Sequence, residues 1–334
     1  MSVIVTPETA NPEQIVAEAE RALADIARIK ESVGTVIFGQ ENVIERTLVA
    51  VLAGGHALLV GVPGLAKTKL VETLGTVLGL SGQRIQFTPD LMPSDIIGSE
   101  VMEQDADGRR SFRYLKGPIF AQLLMADEIN RASPRTQSAL LQAMQEYHVT
   151  VAGQRYDLPA PFHVLATQNP LEQEGTYPLP EAQLDRFLMQ IDILYPELDA
   201  ERRILLETTG VSEAKAYEII NAERLIEMQT LVRRMPVSES VVEAILAGAL
   251  RKTRRRQRPC EEAYCLGPGP RASQALMLCA RARALYEGRL APSVDDVKAL
   301  AEPVLQHRMA LNFAARADGM HIRDVIANLV KAAV

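Results

Sequence analysis

Apolar positions recur with two different periods along this 334-residue chain, and the change of period divides it. Ile15, Ala19, Leu23, Ile26 and Ile29 fall on one face of a helix predicted over residues 12–33. Asn11, ahead of Pro12-Glu13, suits its N-cap and first turn. The pattern then becomes short strand-like segments at Ala57–Val60, Arg84–Phe87, Leu123–Ala126, His163–Thr167 and Met189–Leu194, separated by helical sequence, with Leu123–Ala126 and His163–Thr167 as apolar runs. A continuous apolar run reads as a strand buried on both faces, and the alternation of all five segments with helices predicts an α/β sandwich around a mostly parallel sheet. Residues 88–118 and 147–162 interrupt it with short runs around Gly108 and Gly153, each predicting a hairpin. Tyr195-Pro196 closes the sheet region. Beyond it helical periodicity prevails, with Val294–Ala301 after Ser293 a clean segment.

The chemistry gathers where these strands end. Gly61, Val62, Pro63, Gly64, Leu65, Ala66, Lys67 and Thr68 stand between the first predicted strand and a helix. That is the layout of a phosphate-binding loop: backbone N–H groups and a helix N-terminus wrap the phosphates. Lys67 reaches the β- and γ-phosphates, and the Thr68 hydroxyl ligates Mg²⁺. Ala66 replaces the second glycine of the strict pattern, which costs little if that residue keeps negative φ. Leu123-Leu-Met-Ala-Asp127-Glu128 ends in adjacent carboxylates. On a continued strand they point to opposite faces, Asp127 towards the Mg²⁺ shell and Glu128 towards the attacking water as base. The competing reading is a solvated pair capping a helix that starts near Ser133-Pro134. Asn169, past the His163–Thr167 run, is placed to hold water or a γ-phosphate oxygen.

Six strings together resemble the MoxR branch of the AAA+ ATPases. They are Ile37-Phe-Gly-Gln40, Gly61–Thr68, Asp127-Glu-Ile-Asn-Arg-Ala132, Ala166-Thr-Gln-Asn-Pro170, Leu179-Pro-Glu-Ala-Gln-Leu-Asp-Arg-Phe187 and Gly267-Pro-Gly-Pro-Arg-Ala272. They span about residues 35–275, in the family's order, and Ala66 agrees with the MoxR form of the loop. The resemblance implies an N-terminal helical segment (1–34), an αβα ATPase core (35–197) with strand order 5-1-4-3-2, and an all-helical lid (198–334). The two hairpins then correspond to inserts that commonly face the central pore of a ring. Phe38, Gly39 and Gln40 match the segment lying against adenine. Arg186 matches the arginine finger offered to a neighbouring subunit, and Arg271 matches sensor 2 on the lid, although Gly269 departs from the family's more familiar serine. A guanidinium suits both tasks, being permanently charged and matched to phosphate oxygens. Arg131 and Arg135 are second-rank interface candidates.

Composition narrows the reading further. With 47% hydrophobic residues the chain can bury a large core, and no apolar stretch approaches the roughly 18–20 residues that span a bilayer. The opening Met1–Pro7 lacks the features of a signal peptide. Three cysteines argue against a disulfide framework and for a cytoplasmic location, and Cys260 and Cys265 have no partners for a zinc site. A net charge of −6 disfavours a general nucleic-acid surface. The basic run Arg251–Arg258 is read as a solvated helix end in preference to a patch for DNA or an acidic partner.

The resulting expectation is an ATP- and Mg²⁺-dependent ATPase, assembled as a homo-oligomeric ring of hexameric type, that acts as a chaperone on a protein complex. A finger some twenty residues past Asn169 sits far from its own nucleotide and needs a neighbour. The resemblance adds a partner bearing a von Willebrand factor A domain. The alternatives are a DNA-directed motor of the same clade and a nucleotide-gated switch without appreciable hydrolysis. Hairpin charge separates the first of these: Arg109, Arg110 and Arg113 are balanced by Glu103, Asp105 and Asp107, and the second hairpin has only Arg155.

Overall fold

The computed structural model describes residues 3–4, 12–104, 110–172, 175–208, 214–250, 264–266 and 269–333. The expected N-cap Asn11, the basic run 251–258, Cys260, and Gly108 and Arg109 of the first hairpin lie outside these residues. The N-terminal helix α1 (Pro12–Gly34) forms as its periodicity predicts, with Ala19, Ile26 and Ile29 buried. Next come α2 (Glu41–Leu52), β1 (Ala57–Val60), α3 (Lys67–Val77), β2 (Gly82–Gln86), the hairpin β3 (Gly98–Gln104) and β4 (Arg110–Lys116), and β5 (Leu123–Asp127). Helix α4 (Pro134–Glu146) leads to a second hairpin, β6 (His148–Val151) and β7 (Gln154–Asp157), and then to β8 (His163–Gln168) and β9 (Met189–Asp192).

β1, β2, β5, β8 and β9 form one parallel sheet in the order β9-β1-β8-β5-β2, the predicted 5-1-4-3-2. Every residue of β5 is buried, as its unbroken apolar run requires. The strand's period of two sends Leu123 and Met125 into one core and Leu124 and Ala126 into the other. The first core holds α1, α2 and α3, and the second holds Phe87, Ile96 and the Leu140, Leu141 and Met144 face of α4. Full burial of each such leucine is worth about 2 kcal/mol. The layers therefore fix where the strands' C-terminal ends emerge, and the candidate chemistry lies at that edge.

The hairpins project from this frame. Gly98, at φ 97°, and Gly117 form the neck of β3–β4, where a Cβ on Gly98 would overlap the Leu115 carbonyl and one on Gly117 the Ile96 carbonyl and the Gly98 N–H. Ala152 and Gly153, at φ 48° and 81°, make the two-residue turn of β6–β7, the mirror-image turn type that suits strand twist. The Tyr114 and Tyr156 rings, one from each hairpin, lie 4.2 Å apart.

After β9 the chain is mainly helical: α5 (Leu198–Thr208), α6 (Ala222–Arg234), α7 (Glu239–Leu250), α8 (Pro270–Tyr286), α9 (Val294–Leu305) and α10 (Ile322–Ala333). Ser293 and Asp296 form a reciprocal cap at the start of α9. Three short strands, Val237–Ser238, Tyr264–Leu266 and Ala310–Leu311, add pairings that helical periodicity did not reveal. A further short turn, Gln306–Arg308, packs back against the end of the sheet.

Candidate active site

The loop from Gly61 to Ala66 joins β1 to α3, so the first N–H groups of α3 point into the space above β1. The Gly61 N–H donates to the Gln168 carbonyl at 3.1 Å, which ties the loop to the end of β8. A Cβ at Gly61 would come within 2.9 Å of the Ile193 carbonyl oxygen, so this position needs glycine for packing. Ala66 departs from expectation. Its φ is 54° with ψ 22°, in the left-handed region, where a Cβ costs about 1–2 kcal/mol. Turning from the loop into the first turn of α3 takes precedence over that local preference.

Lys67 folds back over the loop, Nζ donating to the Gly61 carbonyl at 2.5 Å. Partial burial lowers its pKa, opposed by Asp127, Glu128 and Glu172, whose negative charges favour the ammonium. Thr68 stands beside it, half-buried in the first turn of α3.

Asp127 ends β5 and is 8% exposed. One carboxylate oxygen accepts from the Thr167 hydroxyl and the other from Arg84 Nη2, both at 2.5 Å. Thr167 also accepts the Glu128 N–H at 2.9 Å, so one hydroxyl orients both acidic residues. Glu128 is not on the strand. It lies just past β5 at φ 55°, and this left-handed turn, rather than strand alternation, separates it from Asp127. Its Oε2 accepts from Gln86 and from Arg131, each at 2.9 Å. The helix-capping alternative fails, because Ser133 itself accepts the Thr136 N–H at the start of α4.

Asn169 is 5% exposed beyond β8, its Oδ1 accepting the Leu171 N–H at 3.1 Å. That bond orients the amide and leaves its N–H groups as the donors on offer. Gln40 ties its segment to the phosphate loop through Nε2 and the Leu65 carbonyl at 3.1 Å. Phe38 lies beneath the Arg203 guanidinium, 4.5 Å from the ring centroid, and Gly39 packs against Ala200 of α5. A cavity of about 890 Å³ opens beside them, lined among others by Gln40, Tyr195, Ala200, Arg203 and Arg323. Its volume falls within the range of ligand pockets.

The two expected trans and lid arginines fall elsewhere. Arg186 follows the short helix Glu181–Leu184, and among the described residues its guanidinium makes no hydrogen bond or ion pair. Arg271 sits in the first turn of α8, its side chain 57% exposed, with Nη1 3.3 Å from Asp185 Oδ2. Arg135 is exposed on α4. The sequence did not single out Arg84, Gln86, Thr167, Glu172 or Arg308. The available signal was register: Gln86 pairs with Asp127 across β2 and β5, and Leu59 of β1 pairs with Thr167 of β8.

Hard oxygen donors at Asp127 and Thr68, with a buried Glu172 oxygen that has no hydrogen-bond partner, fit a Mg²⁺–phosphate ligand. Residues 56–189 match the family described as ATPase family associated with various cellular activities, and residues 256–329 match the AAA lid domain. The chain is 42% identical over 310 residues to Chaperone MoxR1 of Mycobacterium tuberculosis, covering 92% of this chain and 79% of that protein. It is 30% identical to Protein MoxR of Methylorubrum extorquens, covering 85% and 87% respectively. A solved structure from Cytophaga hutchinsonii, described as a candidate ATPase, superposes with TM-score 0.86 at 38% identity, covering 96% of this chain and 97% of that one. The sheet order, the phosphate loop and these likenesses agree, and the chain belongs to the MoxR family of AAA ATPases.

Proposed function

We propose that this protein hydrolyses ATP in a Mg²⁺-dependent reaction within a homo-oligomeric, hexameric-type ring, and spends the free energy remodelling a protein client. The observation that supports it best is the convergence of Lys67, from the loop after β1, with Asp127 and Glu128, at the end of β5, on the same edge of the sheet across β8, close enough for their charges to act on one another. The loop N–H groups and Lys67 bind the phosphates, Lys67 exchanging the Gly61 carbonyl for phosphate oxygen. Asp127 and Thr68 would hold Mg²⁺, which would supply neutralisation of charge on the transferred phosphoryl group. Glu128 takes the proton of the attacking water, and Asn169 donates to that water or to phosphate. Arg186 of a neighbouring subunit stabilises charge on the phosphoryl group, and Arg271 leaves Asp185 to reach it from the lid.

Core (35–197) and lid (198–334) are in our reading the two moving parts, and the cytoplasm the compartment. No described helix is long and apolar enough to cross a membrane. Maturation of an enzyme complex with a von Willebrand factor A domain partner is the client activity that the family suggests. A protein client is favoured over DNA by hairpin chemistry. Arg113 is paired with Glu103 at 3.1 Å and Arg155 with Asp157 at 2.8 Å, while the cross-strand pair Met102 and Phe112 is exposed. Such a surface offers apolar contact rather than a phosphate track. The test is ATP hydrolysis by wild type and Glu128→Gln, followed by capture on the Glu128→Gln protein with ATP. A Glu128→Gln protein that hydrolyses at the native rate would refute the base, and recovery of nucleic acid instead of protein would refute the client class.

A further inference from the structure

Arg308 lies in the turn after α9, 123 residues from Asp185, yet its side chain is only 4% exposed. All five of its N–H donors are used. Nε donates to Asp185 Oδ1 at 2.8 Å, and Nη2 donates to the carbonyls of Phe187 at 2.7 Å and Asp185 at 3.5 Å. Nη1 donates to the carbonyls of Leu188 at 3.1 Å and Val304 at 2.5 Å. Four of the five bonds therefore end on residues 185, 187 and 188, on either side of Arg186. The neighbours reinforce the same segment: His307 Nε2 is 3.0 Å from the Phe187 carbonyl, and Gln306 donates to the Gln190 carbonyl at 3.0 Å. Arg186 is thus held by its flanks while its own guanidinium remains free among the described residues.

We propose that Arg308, acting with Asp185, is the positioning residue for Arg186, fixing the backbone on both sides so that the free guanidinium is presented to the neighbouring subunit's nucleotide. This rests on the reading of Arg186 as a trans-acting finger. A buried guanidinium is retained only where its fork is saturated, and lysine cannot reproduce five directed donors. The clamp grips main-chain carbonyls, which set the path of the segment whatever the side chains do. It also comes from the lid. Asp185 receives Arg271 as well, so the carboxylate preceding the finger is shared by the buried anchor and the lid arginine expected to reach nucleotide. Lid position and finger presentation are thereby joined within one subunit.

The test uses full-length Arg308→Lys and Asp185→Asn. Each should bind a fluorescent ATP analogue within about twofold of wild type, while kcat, read at protein concentrations where the ring is formed, falls on the order of 100-fold, the loss that a displacement of about 1 Å produces. Subunit mixing assigns the defect. Each variant mixed with Lys67→Ala should regain activity, because the Lys67→Ala subunit brings an intact finger to an intact phosphate loop. Neither should regain activity with Arg186→Ala, because both partners then lack a working finger. Rescue of Arg308→Lys by Arg186→Ala, or loss of nucleotide affinity, would overturn the positioning role and leave the finger itself intact. If Arg186→Ala and Lys67→Ala fail to complement each other, the finger reading falls and this proposal with it. Thermal unfolding checks both proteins, and Asp185→Asn carries the test if Arg308→Lys does not fold.

Discussion

Gln86 and Glu128 meet across neighbouring strand ends, the amide nitrogen of one 2.9 Å from the carboxylate Oε2 of the other. Arg131 donates to that same oxygen, so the candidate base is occupied on one side before any water arrives. Removing the Gln86 amide should release it. A hydrogen bond to a charged group is worth about 1.5–3 kcal/mol when shielded, and less at this partly open edge. Gln86→Ala should raise ATP turnover in the absence of client by about two- to tenfold, read as steady-state phosphate release. A rate at or below wild type would mean that Gln86 aids the base instead of restraining it.

Arg186 should act only between subunits. Arg186→Ala should bind ATP normally and hydrolyse it more slowly by about 10³-fold, the lower end of what arginine fingers supply. Mixing it with Lys67→Ala should recover part of the rate. With subunit exchange verified by labelled protein, absence of recovery would place Arg186 in its own site or outside the reaction.

ATP, more than ADP, should drive ring formation. Arg186 and Arg271 are both expected on the γ-phosphate, one from a neighbour and one from the lid, and a ligand shifts an assembly equilibrium only through differential contacts. Sedimentation of Glu128→Gln with ATP, ADP and no nucleotide should show the largest species with ATP. Equal distributions in all three would leave assembly to constitutive contacts.

Relief at Ala66 should be measurable. Its left-handed φ costs about 1–2 kcal/mol, against about 0.4–1 kcal/mol for the extra unfolded-state freedom of glycine. Ala66→Gly should therefore stabilise the nucleotide-free protein by about 0.5 kcal/mol in urea unfolding. A destabilised variant would show that the Ala66 methyl makes contacts outweighing the strain.

Acid should weaken the fold well before carboxylates titrate. Burial, aided by the nearby His163, lowers the His56 pKa to about 3, and burial beside Arg308 lowers that of His307 to about 3. Between about 3 and 6.5 the unfolded chain takes up protons that these folded sites refuse. Stability is then full above about pH 6.5 and falls as pH drops, by up to about 1.4 kcal/mol per unit for each histidine. Unfolding free energies at pH 7.5, 6.5 and 5.5 test this, and equal values would refute it.

The sheet was legible because β1, β5 and β8 are buried on both faces, which forces continuous apolar runs onto them. Lys67, Asp127 and Asn169 were legible because each follows such a run. What escaped depends on registers and dihedrals that no local pattern encodes. Thr167 matters through its reach to Asp127 on the adjacent strand, and Glu128 through a turn that begins one residue earlier than strand alternation assumes. Arg308 read as one more arginine in a helical stretch, since its partners lie more than a hundred residues away.

The contact between Tyr114 and Tyr156 has a mechanical side. The Tyr114 hydroxyl also donates to the Ile97 carbonyl, beside the glycine neck of its own hairpin, and Tyr156 belongs to the arm that grows from the end of α4. A force applied at the tip of either arm is therefore divided between two roots, one at residues 93–98 and one at α4, both anchored in the same apolar layer. Braced to one another close to their roots, the two arms share one stiff base, so displacement is passed along them instead of being absorbed as flexure where they leave the core.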